Sequence, residues 1–391
     1  MTSAAPQARL EDAIDILSHL VSFDTESSKS NLPLIEWVES YLGGYGIESL
    51  RVPDASGEKA ALFVTIGPRA DGGIVLSGHS DVVPVVGQKW ASNPFHLRRE
   101  GGKLYARGAC DMKGFDALVL ASIPLWQNMP LQAPLHFLLS YDEETTCMGP
   151  VETIARFGVD LPRPRAVIVG EPTMMQVVDA HKAVASYRTL ITGREAHSSK
   201  PALGASAVQA ACEMVSEIYR IGAEVASLGV AAERFDPPVS TVHVGTIVGG
   251  TARNIMARDC SFHWEFRALP GVPLDTVYTR VETYVRDVLL PKMRATAPEA
   301  TIVTQVEIEV PGLAPEPGSA AEQLAFRLTK SNRTHAVAFA TEAGRFQAAH
   351  VPTVVCGPGS IDQAHQPDEF ISEEQMIAGL AFMQDLAREL C

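Results

Sequence analysis

Short, unbroken apolar runs that each end abruptly in acid or imidazole constrain this chain more than any other feature. Ile74-Val75-Leu76 runs into Gly78-His79-Ser80-Asp81, Phe137-Leu138-Leu139 into Asp142-Glu143-Glu144, and Val167-Ile168-Val169 into Gly170-Glu171-Pro172. Runs of this length without alternation suit strands covered on both faces, the environment of a parallel sheet packed by helices. Helical stretches such as Lys113–Trp126 and Val151–Phe157 lie between the runs, and Pro352–Cys356 adds a strand downstream. The spacing predicts an α/β domain with a mostly parallel central sheet. Ligands in open sheets of that kind bind beyond the carboxyl ends of the strands, so imidazole and carboxylate groups are expected to gather at one edge. Gly108-Ala109-Cys110-Asp111-Met112-Lys113-Gly114 brings a further carboxylate, Asp111, to the start of a helix.

The rest of the N-terminal part reads as helices around residues 7–22 and over Pro33–Leu42, the second stopped by Gly43-Gly44. Ala61–Ile66 and Gly73–Ser77 are short β-rich runs separated by Asp71-Gly72-Gly73, a turn signal that predicts a hairpin. Between residues 182 and 313 the texture changes. Strand Val184–Ile191, helix Ala205–Ile221, alternating strands Thr241–Ile247 and Cys260–Arg267, helix Val277–Leu289 and strand Thr301–Val310 follow one another. The order βαββαβ predicts a ferredoxin-like α+β unit. It is inserted between residues 1–181 and 314–391, with Pro315–Gly318 as the returning linker.

A net charge of −14 argues against a nucleic-acid partner, which requires a basic surface. The six cysteines are scattered without a Cys-x-x-Cys pair, the pattern of reduced thiols, which predicts a cytoplasmic protein. Residues 1–20 carry Glu11, Asp12 and Asp15 and lack the apolar core of a signal peptide. No run of about 18 apolar residues occurs, so no membrane partner is expected.

Imidazole nitrogen and carboxylate oxygen are donors that zinc accepts. Taken singly, a strand-end histidine is commonly a hydrogen-bonded structural residue, and adjacent acids such as Glu143-Glu144 commonly line a solvated loop. Their joint occurrence at one sheet edge favours a metal site. Gly78–Pro84, Arg107–Gly114, Asp142–Thr145, Gly170–Thr173 and Ala364–Glu369 together resemble the dinuclear metallohydrolase family of acetylornithine deacetylase, succinyl-diaminopimelate desuccinylase and glutamate carboxypeptidase. These stretches span nearly the whole chain, in the family's order. The resemblance implies a zinc-peptidase-like catalytic domain formed by 1–181 and 314–391, with 182–313 as a lid and dimerisation domain. It implies two zinc ions, for which cobalt could substitute. His79 and Glu171 would bind one ion, Glu144 and His365 the other, and Asp111 would bridge them. Asp81, on the same side of an extended segment as His79, would fix the imidazole tautomer. Glu143 would be the general base that takes a proton from the attacking water and returns it to the leaving amine. Relatives carry a cis peptide after the bridging aspartate, which is expected here at Asp111–Met112.

His197, in Ala196-His197-Ser198-Ser199, reads either as part of a capped helix start before Pro201 or, by the resemblance, as a donor reaching the partner subunit's active site to stabilise an oxyanion. The second reading implies a homodimer through the lid. Arg267 reads as a surface arginine of a strand or, by the resemblance, as the fork that binds a substrate carboxylate. Asn254 resembles a lid residue facing the substrate. Thr341 and Glu342, ahead of a strand, resemble the loop that touches the substrate's far end. His136 is set aside as core, His243 and His263 as lid packing, and Cys110 as a thiol without a second soft ligand.

The resemblance is sharpest on the acetylornithine deacetylase branch, through Phe235–Pro238, Gly249-Gly250, Arg267–Gly271, Thr341–Ala343 and Gly357–Glu369. It implies a small-molecule N-acyl amino acid as substrate, N2-acetyl-L-ornithine, cleaved to ornithine and acetate in arginine biosynthesis. Glu342 would pair with the cationic side chain. A desuccinylase or a broad N-acyl-amino-acid hydrolase would use the same chemistry. A non-catalytic metal-binding dimerisation module is the reading from another class, and the extra carboxylate of Glu143 beyond a full ligand set speaks against it.

Overall fold

Each apolar run becomes a covered strand in the computed structural model. The structure describes residues 4–228 and 232–391. Residues 1–3, at the head of the stretch read for a signal core, and 229–231, within the inserted segment, lie outside the described residues. Two compact units result: one runs up to Ala180 and takes in Pro315–Ala336 and Thr341–Cys391, the other comprises His181–Ala314 and Val337–Ala340.

The first unit opens with α1 (Ala4–Ser22), α2 (Leu32–Gly43), β1 (Ser49–Pro53), β2 (Ala60–Ile66) and β3 (Ile74–His79). It continues with β4 (Arg98–Glu100), β5 (Lys103–Tyr105), α3 (Lys113–Trp126), β6 (Leu135–Ser140), α4 (Val151–Ile154), β7 (Ala166–Pro172) and β8 (Val178–His181). The second unit holds β9 (Ala183–Thr192), α5 (Ala207–Leu228), β10 (Thr241–Gly249), β11 (Asp259–Ala268), α6 (Thr276–Tyr284), α7 (Leu290–Arg294) and β12 (Thr301–Val310). The chain then adds α8 (Ala320–Thr329), β13 (His335–Val337), α9 (Ala343–Ala348), β14 (Thr353–Gly357), β15 (Phe370–Ser372) and α10 (Glu373–Arg388).

Among the described residues the large sheet has the order β1-β2-β6-β3-β7-β14-β8-β13. Its centre, β6-β3-β7-β14, is parallel throughout, and the pairings β1–β2, β2–β6 and β14–β8 are antiparallel. All residues of β3, β6, β7 and β14 are buried, which is why they carry continuous apolar runs rather than alternation. The chain leaves β3 through α3 to β6 on one side, then returns past it to β7 on the other. Strand order reverses at β3, so a crevice opens where its carboxyl end, His79, emerges.

The hairpin expected between Ala61–Ile66 and Gly73–Ser77 does not form. β6 lies between the two strands, with Leu62 opposite Leu139 and Leu76 opposite Phe137. An apolar strand such as β3 needs a neighbour on each edge, and β6 and β7 supply them. The Asp71-Gly72 turn is spent elsewhere: Gly72 N–H donates to Arg163 O, and Asp71 Oδ1 accepts from Arg163 N–H. One helix is also shorter than its apolar pattern, and another changes its winding. The segment expected to be helical to Phe157 ends at Ile154. The helix over Val277–Leu289 passes through a π-helical turn, Val285–Leu289, ahead of α7. Pro291 lacks the N–H a regular helix would use one turn back.

The second unit pairs its strands antiparallel in the order β10-β11-β9-β12. Ala207, Ala210, Ala211, Met214, Ile218 and Ile221 line the buried face of α5 at helical spacing. That face packs on β10 and β11. No helix of the described residues is long and apolar enough to cross a membrane.

His136 is the second residue of β6, 1% exposed, stacked on Phe63 with Nδ1 2.9 Å from Thr65 Oγ1. Burial pushes its pKa down to about 4. The unfolded chain therefore binds a proton that the folded chain refuses, and stability is lost as pH falls from the ordinary imidazole value toward 4. Linkage puts the loss at about 2 kcal/mol at pH 5. In His136→Phe the difference in urea-unfolding free energy between pH 7 and pH 5 should shrink by about that amount; an unchanged difference would show that His136 does not contribute.

Candidate metal centre

The ends of four adjacent parallel strands deliver the polar groups. His79 is the last residue of β3 and has no solvent exposure. Beyond β6 the chain turns sharply at Asp142, whose φ is +56° and whose carbonyl accepts from the N–H groups of Thr146 and Cys147. Lys59 holds the Asp142 carboxylate. That turn sends Glu143 and Glu144 back over the strand ends. Glu171 belongs to β7 itself. Gly170 precedes it because a Cβ there would lie 2.2 Å from the Phe115 ring of α3. Asp111 sits just before α3, across a cis peptide to Met112. His365 follows β14 on a loop, with φ +63°.

Asp111 occupies the middle. Its Oδ1 lies 3.2 Å from His79 Nε2 and its Oδ2 lies 3.4 Å from His365 Nε2. His365 Nε2 is also 2.9 Å from Glu144 Oε2. His79 Nε2 is 3.7 Å from Glu171 Oε1 and 3.9 Å from Glu143 Oε2. Donor atoms of His79, Glu143 and Glu171, and separately of His79, Asp111 and Glu144, fall within 4.8 Å of one another. Distance alone does not separate Glu143 from the potential ligands. Its further contact is the Cys147 thiol, with Sγ 3.4 Å from Oε1.

Asp81 is placed differently from a simple imidazole clamp. His79 Nδ1 lies 2.9 Å from the Asp81 carbonyl and 3.5 Å from its Oδ1. The carboxylate accepts from the backbone N–H of Glu143 at 3.1 Å, the N–H of Glu144 at 3.3 Å and the Ser27 hydroxyl at 2.6 Å. It thereby pins the acidic loop to β3. Ser27 had no sequence signal pointing to this contact.

Burial disfavours charge throughout the cluster. It raises Glu171 well above the usual carboxylate range, with Glu143 and Asp111 adding to the effect. It raises Glu143 similarly, against the pull of His79. It lifts Glu144 to about 7, reinforced by Asp111. For Asp111 burial is outweighed by hydrogen bonds to His365 and His79, which hold the carboxyl below its ordinary value. Burial opposes protonation of His79 too, yet Asp111 and Asp81 leave it raised. His365 is pushed up to about 10, chiefly by Asp111 and Glu144. Glu171 Oε1 is buried without a hydrogen-bond partner. Oxygen and nitrogen donors crowded together, short of positive charge and with an orphaned oxygen, fit divalent cations of the zinc type.

The remaining sequence candidates are not among these donor groups. In the second unit, His197 is exposed and its Nδ1 accepts from Ser199 N–H at 3.2 Å, which leaves Nε2 to carry the proton. Pro201–Leu203 is only a 3-10 turn, and neither Ser198 nor Ser199 caps it. Asn254, also exposed, accepts through its carbonyl from Ser198 N–H. Arg267 forks onto Glu265 at 2.9 and 3.3 Å. In the first unit, Thr341 and Glu342 precede helix α9 rather than a strand, and both are 0% exposed. Glu342 accepts from the Ser77 hydroxyl and, at 2.6 Å, from the Ser140 hydroxyl. A carboxylate enclosed between β3 and β6 with both oxygens engaged cannot reach a substrate ammonium in this arrangement. The expected pairing with a cationic side chain is corrected accordingly. Cys110, set aside as a ligand, gives its thiol to Ser360 O.

The model of Peptidase family M20/M25/M40 matches residues 75–389. An acetylornithine deacetylase of Pasteurella multocida (strain Pm70) is 32% identical over 95% of this chain and 94% of its own length. One from Proteus mirabilis (strain HI4320) is 33% identical over 94% and 92%. Among solved structures, aminopeptidase PepT from Bacillus cereus superposes with a TM-score of 0.74 at 19% identity, covering 97% of this chain and 99% of that one. The metallo-carboxypeptidase Sso-CP2 from Sulfolobus solfataricus gives 0.74 at 17% identity, covering 96% and 98%. At those identities the two structures speak for the fold alone.

Asp81→Asn would set an amide N–H₂ group against one of the backbone donors that the carboxylate now accepts. The affinity of the stripped protein for zinc, measured by competition with a chromophoric chelator, should fall 10- to 100-fold. Wild-type affinity in the variant would mean that the Glu143-Glu144 loop keeps its place without Asp81.

Proposed function

The chain belongs to peptidase family M20/M25/M40 and is a metal-dependent amidohydrolase, and within that class we propose that it removes the acetyl group from N2-acetyl-L-ornithine. The observation that carries the chemistry is Asp111, whose two oxygens each face a different imidazole, those of His79 and His365. The substrate assignment rests on two acetylornithine deacetylase relatives that match over nearly their full length.

In this proposal His79 and Glu171 would hold one zinc ion, Glu144 and His365 would hold a second, and Asp111 would be shared by both. Such ions supply Lewis acidity, which acidifies water and polarises an amide carbonyl. Glu143 then takes the proton from the attacking water and delivers it to the ornithine nitrogen as the C–N bond breaks. Asp81 keeps Glu143 in register through the backbone N–H it accepts. The Nε2–H of His197 is a suitable donor to a tetrahedral oxyanion. We assign it to the partner subunit's site, which makes the active form a homodimer through residues 182–313. Arg267 would exchange Glu265 for the substrate carboxylate, a like-for-like swap of fork partners. Asn254 would face the substrate beside His197, since the two segments are hydrogen-bonded. Six unpaired cysteines are in keeping with a cytoplasmic enzyme of arginine biosynthesis.

Glu143→Gln should lose more than 10³-fold in turnover of N-acetylornithine while retaining two equivalents of zinc by elemental analysis; substantial activity would remove Glu143 from the base role. Equal specificity constants across acetyl-, succinyl- and formyl-amino acids would instead replace the acetylornithine assignment with a broad hydrolase. Mixing His197→Ala with Glu143→Ala chains builds one intact hybrid site per heterodimer. Regain of part of the activity is expected, and none in verified heterodimers would argue against donation across subunits.

A further inference from the structure

Beyond the groups assigned above, one buried polar network in the first unit touches the backbone of both Asp111 and His365. Glu369, 1% exposed, accepts at Oε1 from the N–H groups of Cys110 at 2.8 Å and Asp111 at 3.1 Å. Its Oε2 accepts from Gly108 N–H at 3.1 Å and from Arg107 Nη1 at 2.6 Å. Arg107 is equally buried, and its Nη2 donates to Gln88 Oε1 at 2.6 Å. Gln88 Nε2 in turn donates to the carbonyl of His365 at 2.9 Å. The Trp90 ring flanks the guanidinium at 5.1 Å and donates its N–H to Gln88 Oε1.

The two imidazoles are held in different ways. His79 is enclosed at the end of β3, with Nδ1 on the Asp81 carbonyl. Packing and the sheet fix it without help from Glu369. His365 sits on a loop with its side chain 52% exposed and its backbone left-handed. Little packing holds it, and Gln88 ties its carbonyl to the same relay that grips the Asp111 amide. We propose that Gln88, Arg107 and Glu369 form a positioning relay that registers His365 against Asp111 and so sets the affinity of the metal position shared by Asp111, Glu144 and His365, leaving the His79–Glu171 position largely independent. The relay rests on the two-metal reading given above. A carboxylate that accepts three backbone N–H groups and a guanidinium has no capacity left to bind metal, so Glu369 acts only through Asp111 and Arg107.

The test is a zinc titration of stripped protein against a chromophoric chelator, resolving both equivalents. Gln88 is only half-buried, so Gln88→Ala should fold. One equivalent should bind as in the wild type and the other 10- to 100-fold more weakly, the range typical of lost outer hydrogen bonds to a ligand. Gln88→Glu keeps the acceptor for Arg107 but loses the donor to His365, and should weaken the same equivalent. Glu369→Gln should weaken it at least as much. Unchanged affinity for both equivalents in the two Gln88 variants, or an equal loss at both, overturns the relay. A wild-type protein that takes up no second equivalent fails earlier, and sinks the two-metal reading together with the relay.

Discussion

The chemistry of this molecule depends on one carboxylate being shared between two imidazoles. Asp111 is buried, and burial alone would push its proton back on; the contacts with His79 and His365 reverse that balance. Around it the same burial raises Glu143, Glu144 and Glu171. A protein interior tolerates such crowding of acids only when compensating charge is available. The parallel centre of the sheet creates the crowding, because β3, β6, β7 and β14 all end on the same side. The chain thus builds a place where cations are the cheapest way to restore balance, and hydrolytic chemistry follows from what cations do there.

Holding these groups still falls to residues that never face the crevice. Asp81 accepts the amides of Glu143 and Glu144, and Glu369 accepts those of Gly108, Cys110 and Asp111. Both are buried carboxylates that accept several backbone N–H groups each, besides one side-chain donor, Ser27 for Asp81 and Arg107 for Glu369. A loop fixed by its own amides keeps its side chains free in orientation but fixed in origin, which suits a site whose donors must adjust around a cation. Glu342 does related work one layer down, bridging Ser77 of β3 and Ser140 of β6 close to where those strands release His79 and the acidic loop.

Much of this was legible in the sequence because the signal was local. Unbroken apolar runs announced covered strands, and acid or imidazole directly after each run announced the edge at which they meet. The α3 boundaries, Lys113 to Trp126, follow from an apolar pattern that also fixed their structure. Pairing was less legible. The turn at Asp71-Gly72 gave the right bend and the wrong neighbour, since β6, sixty residues downstream, enters between β2 and β3. Side-chain direction was least legible of all. Glu342 stands in a motif that suggested contact with a substrate, but nothing local reveals that two serines on other strands enclose it. Glu369 sits four residues after His365, and only the fold shows that it reaches back to the Asp111 amide.

The enclosure of Glu342 also redistributes the burden of recognition. If that carboxylate is spent inside the sheet, discrimination for a cationic amino-acid side chain has to come from groups with solvent access. A guanidinium pairs with a carboxylate and repels an ammonium, so in its proposed role Arg267 would orient the substrate's α-carboxyl without selecting its side chain. The strongly negative chain as a whole, at −14, favours approach of a cation over an anion. A succinylated substrate carries an additional carboxylate that would need its own donor and would meet that field unfavourably. Under the proposed reading, a neutral acetyl group on an amino acid with a cationic side chain would be the better electrostatic match, because it brings no second anion and asks for no acidic contact at Glu342.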